Sequence, residues 1–193
     1  MDPTEAQEGI EDAIKDKRTR RLALLIAALA ALLAVVEMQD DNTAQDVVKS
    51  NIDASDLWSF FQAKTLRQFI LERDSETLAL ERDGATPERQ AAIDAQLKSW
   101  RGNLDQYDSD PATNEGKKEL TARAKQAEAD RDDALAANNL FGYASAALQL
   151  AIVLASASII LGVGWLAWGA MGLGGMSLIF AVLGFVAPTL SPF

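Results

Sequence analysis

Residues 141–193 read FGYASAALQLAIVLASASIILGVGWLAWGAMGLGGMSLIFAVLGFVAPTLSPF and contain no Asp, Glu, Lys or Arg. A helix needs about 20 predominantly apolar residues to cross the hydrocarbon core of a bilayer. This stretch is therefore long enough for two crossings. We predict a second span at 143–162 and a third at 168–187, followed by a C-terminal tail at 188–193.

The two predicted crossings are joined by a glycine-containing segment. Gly162 and Gly164 interrupt the apolar run, and Trp165 and Trp168 follow them. Tryptophans are enriched at the level of the lipid headgroups, which favours a short hairpin at 163–167. A re-entrant kink in the same glycine-rich region is the alternative, but the total length favours two crossings.

A shorter charge-free stretch, LALLIAALAALLAVV at 22–36, lies near the N-terminus. Fifteen helical residues rise only about 22 Å, less than the hydrocarbon core, so basic side chains at one end would extend to the membrane surface. A cleaved signal peptide is the alternative, but no small-x-small cleavage site follows Val36. We predict a first span at 22–37 preceded by an N-terminal amphipathic helix at 1–21. The basic side chains are Lys15, Lys17, Arg18, Arg20 and Arg21.

The intervening region, 38–142, is charged and contains the start and stop signals of several helices. No Pro or Gly occurs between residues 37 and 82, so the first helix is expected to continue out of the membrane without a break. Asp83-Gly84 ends it, and Thr86-Pro87 begins a second helix with Thr86 as N-cap. Asp108 to Pro111 ends that helix, and a third should begin near Thr113 or Asn114. The predicted fold is an all-α membrane protein with three transmembrane helices and a long extramembrane antiparallel helical hairpin, or coiled-coil stalk, between the first and second spans.

Composition disfavours most catalytic chemistry. The chain has no Cys and no His, which removes thiol nucleophiles and the commonest general base and metal ligand. Its net charge of −10 disfavours nucleic acid as a partner. The adjacent acids Asp40-Asp41 and Asp132-Asp133 suit a solvated helix face better than a Ca²⁺ or Mg²⁺ site, because neighbouring side chains on a helix diverge. We therefore predict no enzyme activity, no cofactor, no metal site and no catalytic residue.

An aromatic cluster in the middle region is the most distinctive feature outside the spans. Trp58, Phe61, Gln62, Thr65 and Phe69 are expected on one helix face, and Leu57, Phe60, Lys64 and Arg67 on another. Two such faces predict a helix covered on more than one side. Packing within the hairpin is one interpretation, and an interface to a partner or subunit is the other. The cluster residues proposed for such an interface are Trp58, Phe60, Phe61, Gln62, Lys64, Arg67 and Phe69.

Small residues recur at helical spacing in the predicted spans. Ala27 and Ala31 are four apart in the first, and Ala151 and Ala155 are four apart in the second. Small residues at this spacing let helices approach closely in lipid. Packing of the three spans within one chain is the simpler explanation, but we favour homo-oligomerisation because each span has its own small face.

The aromatic segment Asn51–Gln68 resembles the signature of a bacterial family of uncharacterised membrane proteins, domain of unknown function 4337. The resemblance continues through Gly116-Lys117-Lys118-Glu119-Leu120 and through Leu148–Ser156, and covers most of residues 20–165. It implies three spans with a long helical insert, and implies no activity. A basic residue is common in that family at the second hairpin, where Gly162-Val163-Gly164 stands in this chain.

The basic residues before the first span predict orientation. By the positive-inside rule the N-terminus is cytoplasmic and residues 38–142 lie outside the cytoplasm of a bacterial inner membrane, as does the C-terminus. The expected partners are further copies of the chain and membrane lipid, with room for an extracytoplasmic protein. We predict a non-enzymatic, homo-oligomeric membrane protein that acts in assembly, scaffolding or partner binding through its stalk. A channel or transporter subunit lined by small uncharged residues is the alternative.

Overall fold

The described residues form four helices, α1 to α4 in chain order. The computed structural model describes the backbone of residues 3–186 and the side chains of residues 17–186. Within the described backbone all regular structure is helical, which confirms the predicted all-α class. The helices are α1 Pro3–Leu80, α2 Pro87–Asp108, α3 Lys117–Leu161 and α4 Gly164–Val186.

Three described helices are long and apolar enough to cross a membrane. They are the Lys17–Leu80 part of α1, the whole of α3 and the whole of α4. Their number matches the prediction. The expected N-terminal amphipathic helix at 1–21 falls within the start of α1, but the side chains of residues 1–16 lie outside the described part, as does the tail at 188–193.

Helix α1 continues without interruption from the first apolar stretch into the charged region, as predicted. It ends at Leu80, and two turn hydrogen bonds lead the chain toward α2: Arg82 N–H to Ala79 O at 3.2 Å and Ala85 N–H to Arg82 O at 3.2 Å. The α2 start is also as predicted. The Thr86 hydroxyl accepts from Arg89 N–H at 3.4 Å, and Pro87 occupies the first helical turn, where its missing N–H is not needed.

The start of α3 differs from the prediction near Thr113 or Asn114, because the helix begins at Lys117. The Asp110 carboxylate accepts from the Thr113 hydroxyl at 2.7 Å and from Thr113 N–H at 3.3 Å, and these bonds hold a turn in place of a helix. Asn114 then adopts a left-handed conformation with φ +58°, which no α-helix allows. Gly116 closes the turn, since any Cβ there would collide with the Asp110 backbone.

The connection between α3 and α4 is shorter than the predicted hairpin at 163–167. Helix α3 ends at Leu161 and α4 begins at Gly164, four residues before the predicted 168. Gly162 has φ +69°, a conformation suited to glycine at a helix end, and the Ser158 hydroxyl donates to Val163 O at 2.9 Å. One left-handed glycine is therefore enough to reverse the chain, and both tryptophans lie inside α4.

The chain divides into two units. The first, here called the apolar unit, consists of Met1–Val47 and Asp132–Phe193. The second, here called the polar unit, is Val48–Arg131.

The apolar unit packs segments of α1, α3 and α4 around a small-residue core. Phe141 of α3 lies edge-on to Phe185 of α4 at 5.0 Å between ring centroids. The Ser177 hydroxyl of α4 donates to Ala144 O of α3 at 2.9 Å, so this buried polar group is satisfied. The buried core residues are Leu29, Val36, Ala137, Phe141, Ala144, Leu148, Ala151 and Ala181.

Glycines in α4 permit close approach within the apolar unit. A Cβ at Gly174 would lie 2.8 Å from Leu29 Cδ2 of α1, and one at Gly184 would lie 3.0 Å from the Phe141 ring. By contrast, a Cβ at Gly172 would meet nothing within 4 Å. Two of the α4 glycines therefore serve packing within the chain.

Candidate functional site

The inward face of α1 in the polar unit contains an unexpected buried lysine. Lys64 is 7% exposed. Its Nζ lies 3.8 Å from the Glu115 carboxylate, 5.2 Å from the centre of the Phe60 ring and 5.9 Å from that of Tyr107. These partners come from α1, α2 and the turn before α3, so one cation links all three segments of the unit. A buried ammonium is tolerated because it has a carboxylate and two aromatic faces around it.

Trp58 forms a second link between helices of the polar unit. Its indole N–H donates to the Glu128 carboxylate of α3 at 2.8 Å. The indole also packs edge-on against Phe61, with 5.6 Å between ring centroids. Trp58, Phe60, Phe61 and Lys64 are therefore at least partly covered within the polar unit.

The other predicted cluster residues point outward. Gln62, Arg67 and Phe69 are exposed, and Phe69 retains 59% of its accessible surface. Exposure therefore differs within the predicted cluster: Trp58 and Phe61 are half-buried, whereas Phe69 is exposed.

The outward side of α1 has a regular composition that the prediction missed. In the polar unit it forms the α1 stripe, in which exposed positions alternate by four and three residues. Apolar side chains stand at both ends of the stripe and small or polar ones in the middle. The stripe consists of Val48, Ile52, Ser55, Ser59, Gln62, Leu66 and Phe69.

The predicted small-residue faces of the spans also differ in exposure. Ala27 and Ala31 are exposed on the outward side of α1, at the same alternating spacing as Leu24 and Ala34. Ala151 and Ala155 are 0% exposed. Ala151 and Ala155 are therefore covered by their own chain, whereas Ala27 and Ala31 present a free surface.

Within the described residues, no group of three or more His, Cys, Asp or Glu side chains is placed to hold a metal ion. An open groove of about 510 Å³ in the polar unit is lined by Asp53, Asp56 and Asp130, with Arg123 among them, and does not form such a group. Asp40, in the apolar unit, has its pKa raised by partial burial and then by the charges of Asp41 and Glu37.

Asp40 belongs to a polar network that the sequence analysis did not identify. Asn138 Nδ2 lies 2.7 Å from Asp40 Oδ1, 2.9 Å from Asp40 O and 3.2 Å from Thr43 Oγ1, so α3 is tied to α1 by hydrogen bonds. The only sequence signal was a polar Asn beside the apolar segment. The network links α1 and α3 within the apolar unit.

The fold and its surfaces define a class: an all-helical protein with three helices able to cross a membrane and a separate charged helical unit. The model of the family described as Domain of unknown function (DUF4337) matches residues 18–187. The chain therefore belongs to this family, as its resemblance predicted. No curated protein and no solved structure matches the chain.

Proposed function

We propose that this chain is a homo-oligomeric integral membrane protein that serves assembly or partner binding through its polar unit, and not catalysis. The three apolar helices would cross a bacterial inner membrane, and the polar unit would form an antiparallel helical stalk outside the cytoplasm. This orientation rests on the basic residues before the first span.

The observation that carries the proposal is the α1 stripe. Val48, Ile52, Leu66 and Phe69 are each more than half exposed on a unit rich in charged residues. Apolar side chains aligned on one helix face are a surface that a partner helix would cover.

A second copy of the same chain fits this surface best. Alternating spacings of three and four residues are the heptad pattern by which helices pack as coiled coils. All copies inserted in one membrane share one orientation, so their α1 helices run parallel and equivalent residues meet. The serines at 55 and 59 would let two backbones approach in the middle, and Leu66 and Phe69 would supply buried apolar area.

The mass of the purified protein in detergent tests this proposal. Wild type is expected to run as an oligomer, and Leu66→Ser is expected to shift it toward the monomer. Leu135→Ser is the control, since Leu135 is also an exposed leucine but lies on α3. A monomeric wild type, or equal effects of both substitutions, would overturn the proposal.

Labelling tests the orientation independently, because the chain has no native cysteine. A cysteine introduced at the exposed Asp83 should react with an impermeant maleimide in cells whose outer membrane alone is opened. Reaction only after rupture of the inner membrane would place the polar unit in the cytoplasm instead.

A channel or transporter subunit is the second candidate. It is favoured by the exposed alanines Ala27, Ala31 and Ala34 of α1, which form an uncharged small-residue face. If copies assembled with these faces around a shared axis, they could enclose a path. Ion or solute flux from proteoliposomes that is absent from protein-free vesicles would support this function over assembly alone.

A further inference from the structure

A basic groove opens at the end of the apolar unit where α3 turns into α4. It has a volume of about 700 Å³ and is lined by segments of α1 and α4. Lys17, Arg18 and Arg21 supply one wall. They are spaced i, i+1 and i+4, so they share one side of α1.

The remainder of the groove is apolar. Leu22 and Leu25 of α1 lie below the three cations, and Ala167 and Met171 of α4 face them. Trp168 stands at the edge and is 75% exposed. The described residues that line the groove include no carboxylate, so a positive rim stands directly above an apolar floor.

The geometry of Arg18 shows how the rim is formed. Its Nη1 donates to Gly162 O at 3.4 Å, which draws the guanidinium across the α3–α4 turn. A Cβ at Gly164 would lie 3.1 Å from Nη2, so the absence of a side chain at this position leaves space for the arginine. The N-terminal end of α4 adds positive potential to the same space.

We propose that this groove binds an anionic phospholipid. The phosphodiester would sit among Lys17, Arg18 and Arg21, and the start of one acyl chain would lie along Leu25 and Met171. Arginine binds phosphate through paired N–H donors, and basic pockets between spans are suited to anionic headgroups. An exposed tryptophan at the same level fits the headgroup region of a bilayer.

This inference rests on the membrane location in the proposed function but not on oligomerisation. A phospholipid differs from a soluble anion because it needs both positive charge and apolar surface to bind. A free phosphate ester would use the three cations alone, whereas a phospholipid would use both parts of the groove.

Native mass spectrometry of the full-length protein released from detergent tests the proposal. The protein is incubated with dioleoyl phosphatidylglycerol, with dioleoyl phosphatidylcholine, or with soluble glycerol 1-phosphate. Wild type should retain phosphatidylglycerol at least about fivefold more than either other probe. The oligomeric state is read from the protein mass in the same spectrum, so failure of the proposed function is seen separately.

Charge variants locate the binding. Arg18→Gln and Arg21→Gln should each lower retention of phosphatidylglycerol about fivefold, the effect expected for one basic side chain near an anionic lipid. Arg20→Gln is the matched control: it removes one charge from the same turn, does not line the groove, and should change retention less than twofold. Circular dichroism of each variant checks that helix content is retained.

Three outcomes would overturn the proposal. Equal retention of the two lipids by wild type removes the need for an anion. An effect of Arg20→Gln equal to that of Arg21→Gln indicates diffuse charge attraction with no defined groove. Retention of glycerol 1-phosphate at the level of the lipid shows an anion site without an acyl component.

Discussion

Breaking the bond between Trp58 and Glu128 is expected to loosen the polar unit by a predictable amount. Trp58→Phe removes the indole N–H that donates to the carboxylate at 2.8 Å and keeps an aromatic ring beside Phe61. A hydrogen bond to a charged group contributes about 1.5–3 kcal/mol, and partial exposure of this pair places it near the lower limit. The loss of the larger indole adds to this cost, so a total of about 2 kcal/mol is expected.

Amide hydrogen exchange of the full-length protein in detergent measures this effect. Opening of the polar unit should become about 30-fold more frequent in Trp58→Phe, since every 1.4 kcal/mol corresponds to a factor of ten. Trp165→Phe is the matched control, because that indole is 72% exposed in the apolar unit and should leave exchange in the polar unit unchanged.

A double-mutant cycle with Glu128→Ala isolates the bond from the change in ring size. The two single effects should sum to about 1.5 kcal/mol more than the double effect, because each removes the same interaction. A coupling free energy near zero would refute the assignment of this bond as a stabilising link between α1 and α3.

Three further perturbations test other parts of the structure. Lys64→Ala should destabilise the polar unit by about 1–3 kcal/mol through loss of a half-buried ion pair and of the lysine's aromatic contacts, while Lys98→Ala at an exposed site should change little. Equal effects of the two substitutions in a denaturation series would contradict the buried position of Lys64. The pKa of Glu119 is lowered mainly by the hydrogen bond that its carboxylate accepts from the Ser109 hydroxyl. The ionised Glu119 carboxylate therefore stabilises the fold at neutral pH, and this contribution is lost as pH falls below about 4. Glu119→Gln should therefore destabilise the protein at pH 7 and converge with wild type in acid, and a difference that does not depend on pH would exclude this role. Gly174→Leu should cost about 1–3 kcal/mol in thermal stability through overpacking against α1, whereas Gly172→Leu should be tolerated, and similar melting temperatures for the two variants would contradict the packing described.

Local sequence signals, such as capping residues and charge-free stretches, made much of the fold predictable. Thr86-Pro87 specifies a helix start by itself, since a hydroxyl at N-cap and a proline in the first turn satisfy backbone groups within four residues. The charge-free stretches specify helices that can cross a membrane through length and composition alone. Neither conclusion depends on contacts distant in sequence.

Turn details that depend on several residues together were not predictable. Thr113 and Asn114 are acceptable helix starts in isolation, but the Asp110 carboxylate and a glycine at 116 favour a turn there. The α3–α4 connection was also placed too long, because a single left-handed residue at Gly162 completes the reversal.

Within the aromatic cluster, the hydrophobicity of a side chain does not predict whether it is buried. Lys64 is the less apolar side chain yet is buried, and Phe69 is the more apolar yet is exposed. Lys64 contacts Tyr107 and Glu115. Both residues are more than 40 positions away in sequence, so no local pattern indicates them. Phe69 in turn has no partner among the described residues that would bury it, which is why its exposed surface directs attention to a second copy.

The most direct test of the central claim is cysteine cross-linking of the α1 stripe in native membranes. The chain has no native cysteine, so single substitutions Ser59→Cys and Gln62→Cys on the stripe can be compared with Arg67→Cys, which is exposed on a different side of the same helix. Parallel α1 helices packed along the stripe bring equivalent Cα atoms within the 4.4–6.8 Å range that a disulfide spans. Under mild oxidation we predict a covalent dimer for Ser59→Cys and Gln62→Cys and none for Arg67→Cys. Monomer for all three variants, or equal cross-linking of all three, would contradict assembly through this surface.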